Sequence, residues 1–223
     1  MQPFPKIKNK NIVAVFAHPD DESFGPSATL AKLAKDNNLY LIVVTDGSGG
    51  LGKDQFKEKL SQIRKKEVEK AAVILGIKKV FFLNYQDGTL CNNLYHQIAE
   101  KIFQIIKEIN ASTILTYENL GVSGHLDHIA VSLICSYLYE KYPKQIKKIF
   151  YYCLLRSVKK SMKDYFIYWP DGYHKKEIKY YQKIGQNLLE KKIAAIKCHQ
   201  SQKEDMEAVL KKVPSIPFFE YFI

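Results

Sequence analysis

Ile12-Val13-Ala14-Val15-Phe16 is an unbroken apolar run that leads straight into Ala17-His18-Pro19-Asp20-Asp21-Glu22. A run of that kind reads as a strand buried on both faces, the pattern of a parallel sheet covered by helices. The polar groups then lie at its C-terminal tip, the edge of an open α/β sheet where ligands bind. Three carboxylates and an imidazole in five residues repel one another unless a cation sits among them. The sharp reading is a metal site. The plainer reading is a helix N-terminus, where the helix dipole favours Asp and Glu.

A second cluster, Gly124-His125-Leu126-Asp127-His128, also follows an apolar run, Thr113-Ile114-Leu115-Thr116-Tyr117. The chain has six histidines, and three of them fall in these two stretches. Tips of neighbouring parallel strands converge, and a His, Asp, His set suits zinc. Three protein ligands leave a fourth position for water, the mark of a catalytic zinc site. Both His125 and His128 are placed to face a metal, and spacing alone does not choose between them.

Taken in order, the pattern predicts strands at 11–17, 39–45, 79–83, 112–117 and 148–155. Helices are expected at 25–36, 54–75, 93–109 and 127–142. The helix ending at Leu75 is followed by Gly76, a good C-terminal cap residue. Its apolar positions are Leu60, Ile63, Val68, Ala71, Ala72 and Leu75; the helix at 93–109 shows Ile98, Ile102, Ile105, Ile106 and Ile109 as its core stripe. Residues 1–10 read as a basic lead-in. Beyond Leu155 the pattern weakens to an aromatic, lysine-rich stretch at 165–181, helices near 187–198 and 203–211, and an apolar tail, 216–223, that docks on the domain or makes an oligomer contact. With no repeat or linker, 1–223 reads as one α/β domain. It is Rossmann-like, with a mostly parallel sheet and helices on both faces.

The chain carries 34 basic and 23 acidic residues, a net charge of +11. That balance invites a nucleic-acid reading, but the charge is spread along lysine-rich helical faces with no aromatic stacking platform, so no nucleic-acid partner is expected. No apolar run is long enough to span a membrane, and the first residues lack the apolar core of a signal peptide. Cys91, Cys135, Cys153 and Cys198 stand singly, which argues for reduced thiols and against a cysteine-bound zinc. The expectation is a cytoplasmic protein.

Gly47-x-x-x-x-Gly52-Lys53 nearly matches a phosphate-binding loop. Asp54 stands where a hydroxyl should hold magnesium, and a carboxylate there repels phosphate. A flanking loop at the same sheet edge is the better reading, and nucleotide binding remains a minor alternative.

With these pieces in place the chain resembles the LmbE-like, or PIG-L, family of zinc-dependent N-deacetylases. The match rests on the AHPDDE stretch at 17–22 and the H-x-D-H cluster at 125–128. Thr45-Asp46-Gly47, Arg64, Glu67, Asp87-Gly88-x-Leu90 and Lys192-x-x-Ala195-x-x-x-His199-x-x-Gln202 add weaker support. The resemblance implies one zinc ion held by His18, Asp21 and His128. It implies Asp20 as general base, His125 as general acid and Asp127 as the residue that holds His125. It places Arg64 and Asp87 against the substrate. Two positions depart from the family: Leu126 where proline is usual, and Ser123 where some relatives carry a tyrosine that assists the oxyanion.

For the remaining polar residues, Glu22 is read as ordering a ligand, and His199 as a packed, hydrogen-bonded histidine behind the site. His96 and His174 have no sequence partners. The expected reaction is removal of acetyl from an N-acetylated amino sugar or its conjugate, by a single chain or a homo-oligomer. The competing expectation is a metal- or carbohydrate-binding member of the fold without activity.

Overall fold

Two strand tips fix where everything else sits. In a computed structural model, which describes residues 1–49, 57–160, 171–212 and 219–223, the first apolar run forms β2 (Asn11–Phe16) and the second forms β5 (Thr113–Tyr117). They are neighbours, paired in parallel with Ile12 against Thr113 and Ala14 against Leu115. Nearly every side chain of both strands is buried, as expected of strands covered on both faces.

The chain runs β1 (Gln2–Pro3), β2, α1 (Asp21–Phe24), α2 (Ser27–Leu33), β3 (Asn38–Thr45), α3 (Lys57–Leu75), β4 (Lys79–Tyr85) and α4 (Tyr95–Glu108). It continues through β5, α5 (Gly121–Gly124), α6 (Leu126–Lys141), β6 (Lys148–Cys153), α7 (Arg156–Lys160), β7 (Tyr180–Lys183), α8 (Gln186–Ile196), α9 (Lys203–Lys212) and β8 (Phe219–Phe222). These strands form one sheet in the order β1-β7-β8-β6-β5-β2-β3-β4. The five strands from β4 to β6 are all parallel. Their order is that of a doubly wound nucleotide-binding sheet, with the reversal between β2 and β5. Right-handed crossovers leaving that point in opposite directions put α2 and α3 on one face and α4 and α6 on the other. The packing agrees: α2, α3 and α8 contact one another, and α4 packs on α6.

Several expectations are corrected in detail. The expected helix at 25–36 is shorter, Ser27–Leu33, and a separate single turn, α1, precedes Gly25 and Pro26 and begins within the HPDDE stretch itself. Gln2 and Pro3 are an edge strand on β7, not a mere lead-in. The tail is more than a docked segment: β8 inserts between β6 and β7, antiparallel to both. The strand expected to reach Leu155 ends at Cys153. Ile105 is only partly buried, whereas Ile98, Ile102 and Ile106 are fully so. The start of the 54–75 helix, residues 165–170 of the aromatic stretch at 165–181 and residues 216–218 of the tail lie outside the described residues. No helix among the described residues is long and apolar enough to cross a membrane.

On α3 the buried face is Ser61, Arg64, Glu67, Val68, Ala71, Ala72 and Leu75, while Ile63 faces outward at 40 % exposure. The spacing is helical, yet the N-terminal half of this inner face is polar. That half abuts the tip of β2 rather than the core.

The inserted tail is held by a buried ion pair. Glu220 lies 3.0 Å from Lys192 Nζ, and both are almost fully buried. The carboxylate also accepts hydrogen bonds from the Ala28 and Thr29 amides at the start of α2 and from the Thr29 hydroxyl. Removing one charge leaves the other desolvated and unmatched, at a cost of about 3–5 kcal/mol. Lys192→Met is therefore expected to lower unfolding stability by that amount in urea titrations. A midpoint unchanged from wild type would show that β8 is not anchored through this pair.

Candidate active site

The crevice between the C-terminal ends of β2 and β5 gathers residues from five segments. His18–Glu22 leaves β2, and residues 118–128 leave β5. The loops after β3 and β4 supply Gly47 and Asp87, and α3 supplies Arg64. Local folding is tight. Asp20 sits at φ 150°, ψ −22°, a region L-residues rarely enter. Gly121, at φ +68°, lies so close to His128 that a Cβ there would be 2.8 Å from the histidine's own Cβ.

His18, Asp21 and His128 meet in one cluster. His18 Nδ1 is 2.9 Å from His128 Nε2, His128 Nε2 is 3.3 Å from Asp21 Oδ1, and His18 Nδ1 is 3.6 Å from Asp21 Oδ2. Ligands bound tetrahedrally to zinc at about 2.0–2.1 Å lie about 3.3 Å apart; these three distances bracket that value, with Asp21 presenting a different oxygen to each histidine. His128 Nδ1 lies 3.0 Å from the Gly121 carbonyl, a contact that orients the ring with Nε2 toward Asp21.

His18 Nε2 points the other way, 3.3 Å from Asp127 Oδ2 and 3.2 Å from Asp87 Oδ1. That is the carboxylate contact which orients a metal-bound histidine. Two further groupings around His18 come within 4.8 Å of one another, His18–His125–His128 and His18–Asp87–Asp127. Each uses a residue already engaged. Asp127 accepts from the Gly88 and Leu90 amides, at 2.8 and 3.0 Å, and His125 Nδ1 accepts from the Asp127 amide at 3.1 Å. His18, Asp21 and His128 are a third set that could hold a metal ion.

The electrostatics follow from the crowding. Burial opposes charge on His18, but hydrogen bonds to Asp127 and Asp87 and the charge of Asp21 prevail, raising it to about 10. Burial also opposes ionisation of Asp21, yet the His128 charge, with hydrogen bonds from His128 and Tyr117, holds its carboxyl well below the usual range. Asp20 is different: burial pushes it up to about 6, against the pull of the Arg64 guanidinium and with the help of its neighbour Asp21. Burial and the charges of His18 and His128 push His125 below its ordinary value.

All ten residues singled out in the sequence lie at or directly behind this crevice. Asp127 meets His125 only through its backbone amide; its carboxylate serves His18 and the loop after β4. Arg64 is buried, donating to the Pro19 and Gly47 carbonyls and to Asp20. Glu22 and His199 form a fully buried pair at 2.9 Å, shared with the Ser23 hydroxyl. Ser123 Oγ lies 3.3 Å from His128 Nδ1.

Sequence reasoning missed Tyr117. Its ring stacks on His128 with centroids 4.3 Å apart and planes 1° from parallel. Its hydroxyl accepts from the Ala17 amide at 3.2 Å and hydrogen-bonds the Asp21 carboxylate. The one signal was its place as the last residue of β5, an aromatic at a strand tip beside two ligand-bearing loops.

Comparison with known proteins places this crevice in a family. Residues 13–138 match the model of the PIG-L family, GlcNAc-PI de-N-acetylase. A probable N-acetylglucosaminyl-phosphatidylinositol de-N-acetylase of Schizosaccharomyces pombe is 34 % identical over 128 residues, covering 56 % of this chain and 50 % of that protein. A probable N-acetyl-alpha-D-glucosaminyl L-malate deacetylase 2 of Bacillus cereus is 31 % identical over 147 residues, covering 63 % and 66 %. The match thus spans half to two thirds of these relatives' length. Among solved structures, the N,N'-diacetylchitobiose deacetylase of Pyrococcus horikoshii shares the fold, with a TM-score of 0.65 at 24 % identity over 86 % of this chain and 70 % of that one. The family match covers both stretches that build the crevice and the strands that carry them, and on that ground the chain belongs to the PIG-L family.

Proposed function

We propose that this protein is a zinc-dependent hydrolase that removes the acetyl group from an N-acetylated amino sugar or its conjugate. The observation that carries the reading is the convergence of His18 Nδ1, His128 Nε2 and the Asp21 carboxylate within 2.9–3.6 Å of one another, with Asp20 beside them. The names of the family and of both relatives point to de-N-acetylation of glucosaminyl compounds.

His18, Asp21 and His128 would hold the metal. A zinc ion in that place supplies Lewis acidity, polarising a carbonyl oxygen and making water acidic near pH 7. Asp20 takes the proton from the attacking water. A carboxylate near pKa 6 is ionised at neutral pH and is still basic enough for the task. Arg64 occupies Asp20 Oδ2, so Oδ1 is the oxygen assigned to the proton. The leaving amine needs a proton to depart as a free amine, and His125 gives it through Nε2, because Nδ1 is committed as an acceptor. A charged His125 would set an Nδ1 proton against the Asp127 amide, which makes the imidazolium a ready acid. Asp127 and Asp87 orient His18 from behind.

Three outcomes are expected. First, purified protein should bind about one zinc per chain and release amine from a panel of N-acetylglucosaminyl compounds. His18→Ala should lose both properties. Asp20→Asn should keep the zinc and lose about 10²–10⁴-fold in kcat. Metal-replete protein inert on the whole panel would defeat the hydrolase reading.

Second, zinc must displace the proton that metal-free His18 carries below about pH 10. Zinc binding at pH 8 should therefore release about one proton, and affinity should rise about tenfold per pH unit below that pKa. Calorimetry in buffers of different ionisation enthalpy reads the proton directly; none released would place the ion elsewhere.

Third, Tyr117→Phe keeps the stacked ring and removes the hydroxyl from Asp21. Zinc affinity should fall about 10-fold or more, the usual cost of losing a ligand's hydrogen-bond partner. Unchanged affinity in a competition titration would remove Tyr117 from the metal site.

A further inference from the structure

Arg64 carries a role that neither its helix position nor the family's name assigns. It lies on the inner face of α3 and is 3 % exposed. Its Nη1 donates to the Gly47 carbonyl at 2.9 Å, and its Nη2 to the Pro19 carbonyl at 2.9 Å and to Asp20 Oδ2 at 2.8 Å. Its Nε adds a 3.3 Å contact to the Pro19 carbonyl. The guanidinium is engaged by protein groups on three sides, which leaves little of it to meet a ligand. Gly47 is pressed against it: at φ +70°, a Cβ there would lie 2.9 Å from Arg64 Nε and from two ring carbons of Pro19.

Asp20 shows what this clamp holds. It precedes α1, at the position where an aspartate ordinarily caps a helix by accepting from the first amides. Here its side chain makes no cap bond and turns to Arg64 instead. The residue also keeps a backbone conformation that costs about 1–3 kcal/mol and persists only when its surroundings enforce it. Arg64 grips the chain just before the strained residue and the strained residue's own carboxylate.

We propose that Arg64 is a positioning residue: it withdraws the Asp20 carboxylate from the helix cap and holds it, on a strained backbone, toward the reacting centre, rather than binding substrate. The proposal rests on the reading of Asp20 as the base and extends it to the residue that aims it. The planar fork sets three separate nitrogens, Nε, Nη1 and Nη2, toward two carbonyls from different loops and a carboxylate, a spread that a single ammonium nitrogen does not reproduce.

The test uses Arg64→Met and Arg64→Lys on the full chain, with N-acetylglucosamine as substrate, zinc ion alone as metal probe, and crystal structures of both variants. Zinc stoichiometry should stay at the wild-type value, because no ligand has been touched. The kcat should fall about 100-fold or more, with KM within about threefold, and lysine should not restore it. In the crystals Asp20 should leave its positive φ and turn to the amides of α1. An Asp20 unmoved in both variants would overturn the proposal, as would a KM raised tenfold with kcat intact, the signature of a substrate-binding arginine. Asp20→Asn separates the two ideas. If it keeps full turnover, the base assignment fails, and the Asp20 conformation in the Arg64 crystals still decides the clamp. Should Arg64→Met not fold, Arg64→Lys carries the same measurements.

Discussion

Three consecutive carboxylates crowd the tip of β2, and each meets a basic side chain from a different part of the chain. Asp20 meets Arg64 of α3 at 2.8 Å, Asp21 meets His128 of α6 at 3.3 Å, and Glu22 meets His199, just past α8, at 2.9 Å. A buried carboxylate without a partner is too costly to keep, so each pair obliges its helix to dock against the end of β2. Most of the α/β arrangement around the crevice can be understood as the solution to that problem. Asp21 alone of the three lies against two histidines, His18 and His128, which is the ground for proposing the metal there.

The same constraint explains α3. An apolar stripe alone would have buried Ile63; the structure exposes it and buries Ser61, Arg64 and Glu67 along the same face as Val68, Ala71 and Leu75. Arg64 answers Asp20, and Glu67 accepts from the amide and hydroxyl of Ser201 just beyond His199. The helix is thus built in two halves, one packing on the core and one organising charges. The tail follows comparable logic on a smaller scale. Glu220 inserts a carboxylate over the amides of α2, and Lys192 neutralises it. The short strand is fixed in the sheet by this pair together with Phe222, which is fully buried against Phe4 and Tyr152.

Much of this was legible beforehand. Apolar runs ending in His and Asp identified the parallel strands, because strands buried on both faces have no polar alternation to confuse the reading. The order of the polar clusters along the chain pointed to strand tips, and the doubly wound topology brings those tips together at the reversal between β2 and β5. The single helical turn at Asp21–Phe24 was not expected, because four residues ahead of Gly25 and Pro26 carry no helical period. The edge strand at Gln2–Pro3 and the strand at Phe219–Phe222 were not legible, because two to four residues carry no period and pair only with strands distant in sequence.

The sequence by itself determined the fold class, the two ligand-bearing loops and the short roster of residues gathered around them. These are local matters of residue type and spacing. Only the tertiary structure decided what each member faces: that His18 turns Nδ1 to His128 and Nε2 to Asp127 and Asp87, that Asp127 serves His18 more than His125, that Tyr117 spans two of the proposed ligands, and that Arg64 is spent on Asp20. The physical reason is that side-chain direction depends on the rotation of α3 and α6 about their axes and on backbone strain at Asp20. Both are set by contacts between segments dozens of residues apart, which no periodicity records.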